Sequence, residues 1–261
     1  FIDYTYREVY QRIKIQDWLD LDWSISSSAS DVTAEINQDS YFDISLLNQT
    51  NPEPTKLVVK ATPRKRASLE IYVDDGAFGF MNGSQSHPYK RIIQALDASE
   101  DGDRILVANG IYDATNGEQF PLIVNKNVDL IGSASDEVKI SGRAGESMLE
   151  VYSNDVDISN LTLTGGSTGI LIHRDNCSLS DCTIANLRNI DGTGGEAVGA
   201  IINSSTGTLV TRNYFYNFRG AVGQRGNMDY PGEAGGNSYG IQINNSNSIL
   251  INWNLLTNIS G

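Results

Sequence analysis

His173 stands beside Arg174 and Asp175, and imidazole is the side chain that shuttles a proton near neutral pH. It is the sharpest single catalytic candidate in the chain; the plain alternative is a polar ring on a solvated surface. Two Gly-rich stretches follow, residues 188–198 and 219–239, and they carry Arg188, Asp191, Glu196, Arg219, Arg225, Asp229, Tyr230 and Glu233. Proton abstraction beside a uronate carboxylate needs a base, commonly Lys or Arg, often with calcium neutralising the acid group. No Lys occurs after Lys139, so Arg219, Arg225 and His173 are the bases left open. Calcium is the only cofactor this chemistry would bring, and the residues themselves call for none. Whether the chain is an enzyme stays undecided at this level.

The thiols are less promising. Cys177 and Cys182 lie close together in sequence, and free cysteine behaves as a small apolar residue. A zinc site would need further Cys or His ligands, and His173 is the one candidate nearby. No metal site is assigned, and both are read as buried thiols.

Side chains this scattered need a scaffold to gather them, and the sequence supplies one as an internal repeat. With Met148, Gly169, Gly199 and Gly240 aligned, four segments read MLEVY, GILIH, GAIIN and GIQIN, and LTLTGG, CTIANL, NYFYNF and NLLTNI follow in register. Within each copy the period is two, the mark of strands whose alternate side chains face opposite ways. Five inward columns result. The first holds Leu149, Ile170, Ala200 and Ile241, and the next Val151, Ile172, Ile202 and Ile243. Val156, Cys177, Thr208 and Ile249 form a third, Ile158, Leu179, Val210 and Ile251 a fourth, and Leu163, Ile184, Phe215 and Leu256 a fifth. One copy cannot bury these residues alone; copies stacked at about 4.8 Å hydrogen-bond strand to strand and pack column on column. Asn213 and Asn254 share a corner column with Cys182, and Asn186, Asn217 and Asn258 share another. Asn at a corner tolerates left-handed backbone and satisfies buried peptide groups.

Composition agrees with a coil of this kind. Twenty-five Gly among 261 residues favour turns and short strands. The net charge of −13 repels phosphate backbones and anionic lipid, so nucleic acid is excluded as a partner. No apolar run approaches 18 residues, which excludes insertion into a membrane. Residues 1–66 read as a separate small β-rich, sandwich-like unit, with strand-like runs at 12–21, 41–47 and 56–62 and an exit linker at Pro63-Arg64-Lys65-Arg66. Residues 67–261 are the coil. Its first part carries a strand at Ile71-Tyr72-Val73 and an amphipathic helix over 89–98, with Ile92, Ile93 and Leu96 on the apolar face. Seven N-x-S/T sequons begin at Asn48, Asn82, Asn160, Asn176, Asn203, Asn244 and Asn258, as a repeat rich in Asn and Ser produces by composition.

The stretch YVDDG…HPYKRIIQALDASEDGDRILVANGIYDATNGEQFPLIVNKNVDLIGS, residues 72–133, resembles the N-terminal segment of surface proteins of the pectin-lyase-like right-handed β-helix superfamily. The resemblance covers about residues 70–261. It implies an all-β right-handed parallel β-helix whose helix caps the open end of the coil. For activity it implies little, because such coils host lyases, hydrolases, epimerases, adhesins and passive fibres. The hydrolase signatures DD and RIK occur at Asp74-Asp75 and Arg12-Ile13-Lys14, before the repeat, and NTD and GHG do not occur; both matches are read as chance. The chain stops at Gly261 with a rung just completed, which reads as a coil incomplete at its C-terminal end.

The superfamily's usual groove, along the outer face of each rung's first strand, coincides with the side of the repeat that carries the insertions, where function gathers. Tyr152, His173, Asn203 and Asn244 would form one outward polar column, suited to the ring faces and hydroxyls of a sugar chain. Glu150, Leu171, Ile201 and Gln242 form the column beside it. Expected substrate-binding residues are therefore Tyr152, His173, Asn203, Asn244 and Gln242, with Arg188, Glu196, Asp229 and Tyr230 from the loops; the alternative for each is an ordinary solvated surface residue. Two functions fit. One is a polysaccharide-binding protein, with lyase or hydrolase activity open; the other is a structural rod of a surface layer, sheath, filament or adhesin, whose partners are neighbouring surface-protein subunits. Both place the chain at the cell surface or outside the cell.

Overall fold

The computed structural model describes residues 68–190, 195–223 and 234–260, and before them the backbone of five strands. The chain divides into two compact units, Phe1–Ala67 and Ser68–Gly261. In the first, Tyr41–Leu46 pairs antiparallel with both Val9–Lys14 and Val32–Ile36, and Leu21–Ser27 pairs antiparallel with Leu57–Pro63. Strands Leu21–Ser27 and Val32–Ile36 escape the sequence reading; of the expected run 12–21, residues 12–14 belong to strand Val9–Lys14 and residues 15–20 lie outside the described residues.

The second unit is a right-handed parallel β-helix. Among the described residues its three parallel sheets hold five, seven and six strands. A rung runs through one strand of each sheet in turn, for example Thr168–Ile172, Ser178–Ser180 and Thr183–Ala185. The register joins the columns that the repeat predicts: Leu149 to Ile170 to Ala200 to Ile241, Ile158 to Leu179 to Val210 to Ile251, and Leu163 to Ile184 to Phe215 to Leu256. Leu149, Ile170, Ala200, Leu179, Ile184 and Phe215 are fully buried. At about 1.5–3 kcal/mol per large apolar side chain removed from water, these columns are the main stabilising element of the coil.

Below the four aligned copies lies a further complete rung, Leu122–Val124, Val128–Gly132 and Val138–Ser141. The glycines that anchor the alignment have a steric cause. A Cβ on Gly199 would sit 2.4 Å from Gly240 O and 2.6 Å from Phe215, so side-chain-free backbone is needed where the stacked rungs press against Phe215 and Phe218.

Among the described residues there is one α-helix, Ile92–Ala98, in the chain position where a first-sheet strand would fall. It buries Ile92, Ala95 and Leu96 and packs against strands Glu70–Val73, Asp103–Val107 and Leu122–Val124. The helix starts three residues later than its periodicity suggests, because Tyr89 pairs as extended backbone with the strand edge: Tyr89 N donates to Tyr72 O and Asp74 N to Tyr89 O, each at 2.8 Å. Glu118, buried, receives Ile92 N at 2.5 Å and Ile93 N at 3.2 Å and so satisfies two orphan donors of the first turn.

The corner between the second and third sheets differs from expectation by one residue. Left-handed backbone falls on Asn160, Asp181, Arg212 and Trp253, with φ of 54–58°. The next residues, Leu161, Cys182, Asn213 and Asn254, turn inward. Asn213 Oδ1 accepts from Cys182 N at 2.9 Å and its Nδ2 donates to Leu179 O at 2.8 Å; Asn254 repeats the pattern one rung up with Asn213 N and Val210 O. Asn186, Asn217 and Asn258 do adopt the left-handed conformation. Cys177 and Cys182 are free, buried thiols, and burial pushes the Cys182 thiol up to about 12.

Candidate functional site

Rungs about 4.8 Å apart place like side chains within stacking reach, and on the outer face of the first sheet two rings use it. Tyr152 and His173 lie with centroids 4.6 Å apart and planes at 13°. Asn203 and Asn244 continue the column upward in register. Asn125 extends it downward, since Tyr152 N donates to Val124 O at 2.7 Å. Asn125 is a site residue that the sequence reading missed; its signal was the alternation of Leu122-Ile123-Val124-Asn125, which matches that of Leu149-Glu150-Val151-Tyr152.

The stack changes what the column offers. The rings spend one face each on the other, so a ligand lying along the coil meets ring edges and the Tyr152–Glu150 pair instead of the flat platform the sequence suggests. Tyr152 Oη donates to Glu150 Oε2 at 2.9 Å, and this bond to a carboxylate raises the phenol above its ordinary value. His173 Nε2 is buried without a hydrogen-bond partner, and Arg174 Nη1 turns back to His173 O at 3.0 Å. In the neighbouring column Glu150, Leu171, Ile201 and Gln242 are half-buried and paired in register.

The other wall is built where the third sheet runs into the return loops. Arg188 and Arg219 form a parallel bridge on successive rungs, both exposed. No carboxylate among the described residues pairs with either, although like charges on adjacent strands repel. Arg188 N donates to Gly166 O at 2.8 Å, which fixes the pair just before the first-sheet strands begin. The two return loops close on one another through Ala221 N to Gly195 O and Gly236 N to Ala221 O, each 2.8 Å. Beneath them Val198 is buried although it belongs to the outward face. Glu196 is exposed, and its carbonyl receives Asn189 Nδ2 at 3.1 Å.

The candidate residues therefore fall into two rows. Tyr152, His173, Asn203 and Asn244 follow the end of the first-sheet strands, and Arg188 and Arg219 precede their start. His173 and Arg219 are separated by the width of the sheet, roughly 16 Å for a five-residue strand at 3.3 Å per residue. They are not brought together as an acid–base pair. Arg225, Asp229, Tyr230, Asp191 and Glu233 lie outside the described residues. Among the described residues no group of three His, Cys, Asp or Glu could hold a metal ion, and no helix is long and apolar enough to cross a membrane.

Another ladder, unread in the sequence, crosses the second sheet's outer face. Arg104 bonds Glu70 at 3.1 Å and approaches Asp129 at 3.6 Å, and Ser178 Oγ donates to Asp157 Oδ1 at 2.6 Å. Burial, and then the neighbouring Asp157, hold the Asp129 carboxyl above its usual value.

Comparison with known proteins gives a family and a fold likeness. No curated protein matches the chain. A solved rhamnogalacturonan lyase superposes with a TM-score of 0.43 at 12% sequence identity, covering 74% of this chain and 63% of the lyase chain, so the chain spans less than two thirds of that protein. A family model matches residues 76–259, from the loop before the capping helix to the last described rung, and the chain belongs to that family, described as "Protein of unknown function (DUF1565)".

Proposed function

We propose that the coil binds an extended, acidic polysaccharide along the outer face of its first sheet. The observation that carries the reading is the pair of exposed arginines, Arg188 and Arg219, on neighbouring rungs, with no carboxylate partner among the described residues. Two like charges side by side on an exposed face repel, and an anionic ligand would relieve that repulsion. The facing row of Asn125, Tyr152, Asn203 and Asn244 supplies hydrogen-bonding tips at rung spacing for the hydroxyls of the same chain. A polymer of this kind is met at or beyond the cell surface, so the reading carries an extracellular or cell-surface location.

A glycan array probed with the full chain tests this. Acidic glycans are retained above neutral ones; Arg188→Ala with Arg219→Ala weakens retention about tenfold or more, equivalent to about 1.4 kcal/mol; and added salt weakens it further. Retention of no acidic glycan sinks the reading. Release of unsaturated or shortened sugars from a retained polymer would extend binding to lyase or hydrolase activity, with His173→Ala and Arg219→Ala as the first variants to assay.

A further inference from the structure

A second recess lies on a different face of the coil. It is a cavity of about 400 Å³ on the outer side of the second sheet, floored by Tyr72, Leu106 and Ile131. This volume falls within the range of pockets that enclose most of a small ligand. The three residues are successive members of one outward column, whose next members are Ser159, Ser180, Thr211 and Asn252. The column is thus apolar beneath the cavity and polar on the rungs above it. Fold alone does not require this, because the rungs above are built identically with Ser and Thr at the same position.

The wall opposite the floor is pinned in place. Tyr72 N donates to Gly83 O at 2.8 Å, Tyr89 N to Tyr72 O at 2.8 Å, and His87 N to Ser84 O at 3.0 Å. The segment 82–89 therefore covers the edge strand and holds Gln85 and Pro88 over the recess. Gly83 permits the close approach: its φ is 79°, and a Cβ there would lie 2.6 Å from the Tyr89 ring.

Around this floor the polar groups are Asp74, Gln85 and Ser133. Asp74 Oδ1 accepts from Gly76 N at 2.9 Å and Ser133 Oγ donates to Asn109 Oδ1, so both offer their remaining acceptor positions, and Gln85 offers an amide that donates as well as accepts. A purely apolar occupant would leave them desolvated. An anion would meet Asp74 on a strongly acidic chain. A neutral pyranose answers all of these: its apolar face lies against the Tyr72 ring, Leu106 and Ile131, and its hydroxyls reach the three polar side chains. We propose that this recess binds a neutral sugar of one or two rings, separate from the first-sheet groove and without that groove's preference for acidic chains.

The test uses the full chain and ligand-observed NMR with cellobiose, methyl α-mannopyranoside and methyl β-galactopyranoside, and with galacturonate and tyramine as the anionic and cationic probes. Leu106→Ser and Ile131→Ser are the informative variants, because the same column carries Ser159 and Ser180 on the two rungs above Ile131. At least one neutral sugar binds with a dissociation constant of about 1 mM or tighter. Either substitution weakens it at least about tenfold, while Arg188→Ala with Arg219→Ala leaves it unchanged. That last variant separates this site from the acidic-glycan groove, so each stands or falls without the other. In the wild-type chain the amide resonances of Ala108 and Ser133 shift on titration, a readout that does not depend on the variants folding. Binding by none of the three neutral sugars, unshifted Ala108 and Ser133, neutral-sugar binding that survives both substitutions, or preference for tyramine or galacturonate at these amides overturns the proposal.

Discussion

Asparagine climbs this coil twice, and the two stacks differ in what surrounds them. Asn213 and Asn254 stack inside the corner between the second and third sheets, where each amide answers backbone N–H and C=O groups of the rung below. Asn186, Asn217 and Asn258 stack outside, at the far end of the third sheet, and bond mainly to one another: Asn217 Nδ2 to Asn186 Oδ1 at 2.5 Å and Asn258 Nδ2 to Asn217 Oδ1 at 3.2 Å. Distances alone would not separate the two stacks. Burial does, because water replaces an exposed hydrogen bond at little cost but cannot reach Cys182 N or Leu179 O once an inner amide is gone.

The largest effect is therefore expected at Asn213→Ala. It strands a buried donor and a buried acceptor and removes a partner of Asn254, for a loss of about 2–4 kcal/mol in urea unfolding. A loss below the level of an ordinary surface substitution, about 0.5 kcal/mol, would mean that water enters the corner and that the inner stack is not dry.

Glu118 carries the contrast to a charged group. Burial is the first cause that raises its carboxyl above the ordinary value, and the two helix N–H donors only partly offset it. A raised folded-state value means the native chain holds its proton more tightly than the unfolded chain. Stability is then highest below the unfolded value and declines as pH climbs from there through the folded value. Glu118→Gln, which keeps an acceptor and discards the charge, flattens that decline: the variant gains on the parent as pH rises above the ordinary glutamate value. A parallel pair of stability curves would show that Glu118 titrates as in the unfolded chain.

On the outside, Arg212 and Asp181 form a two-point pair at 2.7 and 2.6 Å between successive corners. The hydrogen bond from Arg212 is the main reason the Asp181 carboxyl lies below its usual value. The stabilisation is present above the unfolded value and is lost as pH falls through the folded one. Both groups are well exposed, so screening reduces the effect, and salt reduces it further. Arg212→Ala is expected to destabilise less than Asn213→Ala and to lose its effect at low pH or high salt.

How much of this was legible follows from what repeats. The columns were readable because Ile170, Ile202 and their neighbours recur with one side-chain type at one spacing, and a stacked coil admits few other registers. The rung from Leu122 to Ser141 stayed hidden, although it packs like the rest, because it lacks the Gly anchor and its turns differ in length. The candidate groove was half legible: alternation placed Tyr152, His173, Asn203 and Asn244 on one strip, but not that Tyr152 and His173 would stack on each other. That Arg188 and Arg219 bridge on neighbouring rungs could not be read at all, because the two stretches that carry them differ in length and only the folded register brings their first residues side by side. The second-sheet recess was equally silent, since Tyr72, Leu106 and Ile131 sit in rungs whose column partners only the three-dimensional register identifies.

The smallest expected effect closes the comparison. Asn217 has a φ of 58°, so its substitution changes two things at once, the exposed amide ladder and the backbone preference at the corner. Alanine retains a Cβ that disfavours this conformation, by about 1 kcal/mol or somewhat more, whereas glycine adopts it freely. If the outer ladder contributes little, Asn217→Gly leaves urea stability within about 0.5 kcal/mol of the parent while Asn217→Ala falls by about 1 kcal/mol. If the ladder itself stabilises, Asn217→Gly falls as well by more than about 0.5 kcal/mol, and Asn217→Ala lies about 1 kcal/mol below it. Only the first result supports the claim that burial decides what an asparagine stack is worth; the second would put the outer amides on the same footing as Asn213.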